Sequence, residues 1–313
     1  MSGSVLFLRA DDNDFEKYVT RNIISEGYDV AMPYTVPMEK IYNLPLFDKI
    51  CFKLKTPILY KHLIGDWKHS ISEYDLIIIF DKALTPQLLR YIKRYNSECR
   101  LKIWLWNCRY LEDEVLQYAD VYTFDEDYAA LKGYKYVPQF HFRKNFSVNH
   151  AAKPGVYYIG YDKGRLNELT KVAKILNDIG IRHNLILRKD PDIDYRTNNR
   201  TADGIRLIDK DMDYCDILDQ MRDYSCVLEL NIKEQYGLTL RSLEALFSEK
   251  KLITNNTKIA TYDFYNPENI FILGKDDVSE LKAFLGSGYC PVAQKIKESY
   301  TFEKWIGSLT EDL

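Results

Sequence analysis

The 313-residue sequence has little glycine (14) and proline (10), and no tandem repeat or low-complexity stretch gathers them, which excludes collagen-like and linker-dominated chains. Long apolar runs are also missing. The longest, Leu76 to Phe80 and Ile103 to Trp106, are strand-sized, whereas a membrane-spanning helix needs roughly 20 residues. Neither sign of charge dominates: 43 Lys and Arg against 46 Asp and Glu give a net charge of -3. No global field recruits nucleic acid, so any anion site must be local. The six cysteines (Cys51, Cys99, Cys108, Cys215, Cys226, Cys290) lack CxxC or CxxH spacing and read as reduced thiols of a cytosolic chain. Met1-Ser-Gly-Ser carries no basic and apolar secretory leader and puts Ser2 where N-myristoylation needs glycine, so a cytoplasmic location is expected. There is no Walker loop, HExxH or GxSxG, and the five histidines show no ligand spacing; no metal site is implied.

What is present is an alternation of short apolar runs with amphipathic stretches. Val5 to Ala10 reads as a strand, followed by a helix with Phe15, Tyr18, Val19 and Ile23 on one face. The rhythm continues through Asp75 to Asp81, a helix opening at Thr85-Pro86, and the strands Leu101 to Trp106 and Asp120 to Thr123, closing near Tyr136-Val137-Pro138. Phe140 to Pro154 loses the pattern and reads as a linker. A second, similar series then runs from Gly155 to Gly160, through a helix on Leu166, Leu169, Val172, Leu176 and Ile179, to strands at Asn184 to Leu187, Gly204 to Ile208, Cys226 to Leu230, Leu252 to Asn255 and Ile270 to Leu273. The fold class expected is α/β: two Rossmann-like parallel-sheet domains facing a central cleft. The boundaries expected are 1–145, 146–295, and a terminal helix over 296–313 returning to the first domain.

Three segments of the second domain point to a phosphorylated ligand at the carboxyl ends of its strands. In Tyr157-Tyr-Ile-Gly160-Tyr-Asp-Lys163-Gly164-Arg165 a glycine lets backbone approach a phosphate, a helix N-terminus follows, and two cations add charge. In Glu234-Gln-Tyr-Gly237-Leu-Thr239-Leu-Arg241-Ser-Leu-Glu244, Thr239 and Arg241 stand at a helix start. Glu244, one turn in, has the chemistry to accept bonds from a ribose diol. Arg188-Lys189-Asp190-Pro191 follows an apolar strand. Each segment has a plainer reading as turns, solvated charges or an i,i+3 surface pair.

These residues, with Lys250-Lys-Leu-Ile-Thr-Asn255, resemble the donor-binding half of bacterial GT-B glycosyltransferases of surface polysaccharide (lipopolysaccharide or capsule) biosynthesis. The resemblance implies a nucleotide-sugar donor as substrate, UDP or GDP type left open, with no cofactor and no metal. It implies Glu244 on the ribose and Gly160, Lys163, Arg165, Thr239 and Arg241 along the diphosphate; Arg188, placed after its strand, is a further donor-binding candidate from position alone. The sequence departs from the Glu-x7-Glu signature of the large retaining group, since Tyr236 stands eight residues before Glu244 and Glu234 ten before it.

In that scheme the first domain takes a glycan or lipid-linked acceptor and supplies a carboxylate base. Asp11 and Asp12, after the first strand, are the leading candidates for catalysis alongside Arg241; Asp14, Asn107, Asp125, Glu126 and Asp127 also follow strands. Asp12 or Asn13 serves equally as a helix N-cap. Lys49 to His69 interleaves five lysines with apolar residues and suits an anionic membrane surface or a packed helix pair with a charged rim. No nucleic-acid partner is expected. A nucleotide-sugar epimerase and a non-catalytic glycan- or nucleotide-binding protein are the alternatives.

Overall fold

The computed structural model describes residues 3–10, 13–41, 43–142, 146, 148–149, 151–193, 195, 204–232 and 237–311. The chain divides into two compact units, residues 1–138 with 306–313, and residues 139–305.

The first unit runs β1 (Val5–Leu8), α1 (Asp14–Ser25), β2 (Asp29–Ala31), α2 (Met38–Ile41), α3 (Leu46–Lys53), β3 (Leu76–Phe80), α4 (Pro86–Tyr95), β4 (Arg100–Leu105), α5 (Asp113–Leu116), β5 (Asp120–Thr123), α6 (Glu126–Lys132) and β6 (Lys135–Tyr136). Its strands pair in parallel in the order β2-β1-β3-β4-β5-β6. Parallel strands covered on both faces have no polar side to show, which is why Leu-Ile-Ile-Ile-Phe of β3 is buried throughout. Helix starts follow local chemistry. Asn13 caps α1 by accepting from the Glu16 N–H at 2.8 Å, and Thr85 caps α4 with Pro86 in its first turn; both place a side-chain oxygen on donors that have no partner within the helix.

The second unit runs β7 (Lys153–Tyr161), α7 (Leu166–Asp178), β8 (His183–Arg188), β9 (Ile205–Ile208), α8 (Tyr214–Arg222), β10 (Tyr224–Glu229), α9 (Leu240–Phe247), β11 (Lys251–Thr254), β12 (Ile270–Ile272), α10 (Leu281–Gly286), α11 (Gln294–Glu298) and the start of α12 (Phe302–Thr310). Its sheet is again parallel, in the order β12-β11-β10-β7-β8-β9. Counted within the unit and read from β9 this is 3-2-1-4-5-6, the doubly wound order whose winding reverses between β7 and β10; ligands of open α/β sheets bind outside the carboxyl ends of the strands at such a reversal. Val156, Tyr158, Leu185, Leu187, Cys226 and Leu228 form the core beneath it.

Two expectations need correction. The stretch from Phe140 is not a linker over its first three residues: Phe140, His141 and Phe142 are buried. The His141 N–H donates to the Tyr300 carbonyl and the Phe302 N–H to the His141 carbonyl, at 2.9 and 3.1 Å. Phe140 stacks on Trp305 with ring centroids 4.2 Å apart, and Phe142 on Phe302 at 5.0 Å. The aromatic area buried there outweighs the absence of a periodic pattern. The single terminal helix is also two, α11 and α12, separated at Ser299 to Thr301.

Candidate functional site

The reversal point in the second unit collects most of the residues that the sequence singles out. Strand β7 ends at Gly160 and Tyr161, and the chain turns through Lys163 (φ 40°) and Gly164 (φ 85°), both left-handed, into α7. A Cβ at Gly160 would lie 2.7 Å from the Tyr158 hydroxyl, so a larger residue there needs that ring to shift. That hydroxyl is buried and has no hydrogen-bond partner among the described residues. Arg165 bridges the reversal: its Nε donates to the Leu230 carbonyl beyond β10 at 2.6 Å, and one guanidinium nitrogen to the Tyr161 carbonyl at 3.0 Å.

The N-terminus of α7 is not free for a ligand. Asp162, buried and not among the site residues the sequence points to, accepts from the Leu166 N–H at 3.0 Å and from the Tyr195 hydroxyl at 2.6 Å. A protein carboxylate thus sits where an anion would be drawn. Lys163 is exposed, with Nζ 5.8 Å from the Tyr161 ring centroid. Arg188, at the end of β8, is held by Asp211 at 2.9 Å and by the Lys189 carbonyl at 3.0 Å.

Helix α9 supplies the rest. Thr239 is its N-cap, accepting from the Arg241 N–H at 3.2 Å and donating to Glu229. Glu229, the last residue of β10, is buried and also accepts from Ser242 at 2.8 Å and Thr254 at 2.5 Å. Three hydroxyl donors satisfy a charge that would be costly alone, and they lock the start of α9 to the ends of β10 and β11. An acid inside the apolar run Cys226-Val-Leu-Glu-Leu230 is the sequence signal for this residue.

One turn further along, Arg241 and Glu244 form a buried ion pair, their side chains 17% and 2% exposed. Arg241 also reaches toward the Ile159 carbonyl at 3.4 Å. Burial works against charge on Arg241, but the Glu244 carboxylate and nearby tyrosines more than offset it and hold the guanidinium pKa above its ordinary value. The other Glu244 oxygen accepts from the Tyr214 hydroxyl at 2.5 Å, and Tyr214 lies 2.9 Å from His141 Nε2. Burial pushes His141 down to about 3, so the ring is neutral. The Phe142 N–H donates to its Nδ1 at 2.8 Å. The proton therefore sits on Nε2, and the chain has one direction: His141 donates to Tyr214, Tyr214 to Glu244, and Glu244 holds Arg241. In this form Glu244 is not accessible to a ribose, because burial and two inner partners occupy it. Tyr214 and His141 carry no local sequence signal; residues 73 apart meet only through the fold.

Asp11 and Asp12 of the first unit lie outside the described residues, as do Glu234 and Tyr236 of the second. Asp125 caps α6 through the Tyr128 N–H at 3.0 Å. Asp81, which directly follows β3, is a candidate that the sequence does not mark out: it is buried, and burial raises its pKa against the pull of Arg109. Arg109 donates to the Asp81 carbonyl at 3.2 Å and lines a cavity of about 380 Å³ with Lys49, Lys53, Phe52, Thr85 and Tyr110.

Solved structures share this fold over nearly the whole chain. Sucrose-phosphate synthase from Thermosynechococcus elongatus is 12% identical, with 99% of this chain and 98% of that one covered at a TM-score of 0.57. AviGT4, a glycosyltransferase involved in avilamycin A biosynthesis, is 13% identical over 97% and 93% at 0.56. HepE of Anabaena, in complex with UDP, is 11% identical over 98% of each chain at 0.55. No protein-family model and no curated protein matches the sequence. At these identities the likeness establishes the architecture: an α/β chain with the two parallel six-stranded sheets of the GT-B glycosyltransferase fold.

Proposed function

We propose that the chain is a glycosyltransferase that moves a sugar from a nucleotide-sugar donor to a hydroxyl of a cell-surface glycan or lipid-linked precursor, at the cytoplasmic face of the membrane. The observation that carries this reading is the reversal point of the second sheet. There Arg165 and Arg241 are held by carbonyl and carboxylate oxygens beside a left-handed turn, in a fold shared end to end with glycosyltransferases. Cations fixed before the reaction stabilise a departing diphosphate without reorganising, which is where such enzymes gain most.

In this reading Gly160, Lys163, Arg165, Arg188, Thr239 and Arg241 follow the diphosphate. Glu244 holds Arg241 in place and reaches the ribose only by releasing Tyr214. The acceptor is taken by the first unit, where Asp11 or Asp12 acts as base; Asp81 joins them, since a carboxyl with a raised pKa is better matched to proton abstraction near neutrality. The reaction is expected to proceed without a divalent metal, and activity retained in excess chelator is the check.

A thermal-shift series of nucleoside diphosphates tests the donor half. A nucleotide at 100 times its dissociation constant stabilises by about 2.7 kcal/mol. The reading requires at least one diphosphate to raise the melting temperature and the matching nucleotide-sugar to be turned over when an acceptor is added. Turnover to an isomeric sugar nucleotide with no acceptor present points instead to the epimerase.

A further inference from the structure

The first unit carries a surface that donor chemistry does not use. Between residues 46 and 59 six large apolar side chains stand open, Leu46, Phe47, Ile50, Leu54, Ile58 and Leu59, each between 40% and 76% exposed. A helix turns about 100° per residue, so Leu46, Phe47, Ile50 and the capping Leu54 share an arc of roughly 100° along α3. The other side of α3 is already committed: Cys51 is buried and Phe52 packs edge-on against Tyr34 and Tyr60.

After Lys55, at φ 60°, the chain enters a 3-10 segment, Pro57–Leu63, that packs back on α3. His62 meets Asp48 at 2.9 Å, and Tyr60 and Leu63 enter the core while Ile58 and Leu59 stay outside. Single exposed leucines are ordinary; six large apolar side chains in fourteen residues of adjoining elements form a patch of the kind that marks an interaction surface.

Charge selects the partner. Lys49, Lys53, Lys55 and Lys61 are all exposed among these residues, while Asp48 is taken by His62, and Glu114 by Lys55 and Arg90. Protein interfaces are depleted in lysine. Lysines flanking a Leu, Ile and Phe face are instead the composition of elements lying in a headgroup boundary, where long stems let the ammonium groups reach lipid phosphates. No helix among the described residues is long and apolar enough to cross a membrane.

We propose that α3 and Pro57–Leu63 form a docking surface that seats the first unit on an anionic bilayer, with the six apolar side chains below the headgroups and the four lysines among them. The inference rests on exposure and charge in the first unit, so failure of the donor test leaves it standing, and the reverse also holds.

The test is co-sedimentation of the full chain with vesicles of phosphatidylcholine alone and of phosphatidylcholine mixed with phosphatidylglycerol. Wild-type protein should partition at least about tenfold more strongly onto the mixed vesicles. It should also remain partly bound at high salt, because insertion of apolar groups is not screened. The triple variant Leu46→Ser, Phe47→Ser, Ile50→Ser should lose at least about tenfold in partitioning at an unchanged melting temperature, since exposed side chains add little to folding. Wild-type protein that stays in the supernatant overturns the proposal, as does a triple variant that binds like wild type. A wild-type dimer that the triple variant converts to monomer also overturns it, for then a second copy covers the patch.

Discussion

At the carboxyl end of the second sheet Arg165, Arg188 and Arg241 are each tied to carbonyl or carboxylate oxygens of their own unit. Around the cavity of the first unit, Lys49 and Lys53 are exposed and make no ion pair with the described residues. One end is assembled in advance and the other is left adaptable. Preassembly suits charge that develops at one fixed position, whereas lysines on flexible stems suit anionic groups that arrive in varied poses. Preassembly also makes the second unit's stability depend on its polar residues, and that dependence is open to measurement.

The largest effect should come from breaking the Arg241 and Glu244 pair. Glu244→Ala leaves a buried guanidinium unpaired, which typically costs about 3–5 kcal/mol. Urea midpoints should show a loss of that size, against a change within about 0.5 kcal/mol for Lys49→Gln at the cavity rim. Comparable losses for the two variants would erase the contrast. The next effect is kinetic. Arg241→Lys keeps a charge for Glu244 but not the planar fork that also reaches Ile159. Removing a fixed donor at a developing charge commonly lowers turnover by about 10²–10³. Turnover should fall by that factor while the donor KM changes little; a raised KM with unchanged turnover would make Arg241 a ground-state binder.

Acid sharpens the comparison because two buried groups, His141 in the second unit and Asp81 in the first, respond with opposite sign. His141 has an ordinary value of 6.5 and is pushed down to about 3 in the fold. Between those values the unfolded chain binds the extra proton, so the stability that neutral His141 allows is complete above pH 6.5 and is lost as pH falls, by about 1.4 kcal/mol at pH 5.5. Asp81 has a raised pKa. There the folded state binds the proton first, so acidification through the range just above 3.8 relieves a cost. His141→Gln, which retains an amide donor for Tyr214, should flatten the loss of urea midpoint between pH 6.5 and 5.5. A slope unchanged in that variant would place the acid sensitivity elsewhere.

Much of the fold is legible in the sequence, for a physical reason. Strands buried on both faces are largely apolar, so β1 and β3 announce themselves as continuous runs, and β4, β7 and β10 as shorter ones, with Lys102 inside β4 and Glu229 at the end of β10. β2, which is Asp-Val-Ala with its first residue exposed, carries no such run and gives no signal. Thr85-Pro86 marks a helix start because capping chemistry is local. Strand order is not local: β7 lies between β8 and β10 only because crossover connections pack that way, so the reversal point emerges with the sheet. The site divides along the same line. Gly160, Arg165, Thr239, Arg241 and Glu244 stand in loop-to-helix segments whose position after a strand is readable. Their partners Leu230, Glu229, Tyr214 and His141 come from elsewhere in the chain. Glu244 is therefore already occupied in a way that no local pattern reveals.

The smallest expected effect belongs to the adaptable end. Lys49 and Lys53 border the 380 Å³ cavity with Phe52, Tyr110 and Arg109, a lining that offers both charge and apolar area to an anionic acceptor. Each lysine is exposed and screened, so its removal should cost a bound anion no more than roughly 1 kcal/mol, a fewfold change in affinity. Lys49→Gln with Lys53→Gln should therefore raise the acceptor KM by a modest factor that shrinks further with added salt. The donor KM and the thermal shift produced by a nucleoside diphosphate should stay at their wild-type values, since the residues assigned to the donor belong to the other unit. Steady-state kinetics with donor and acceptor varied in turn separate the two. A rise confined to the acceptor assigns the cavity to that substrate, and an equal rise in both constants would show that the two ends are not independent.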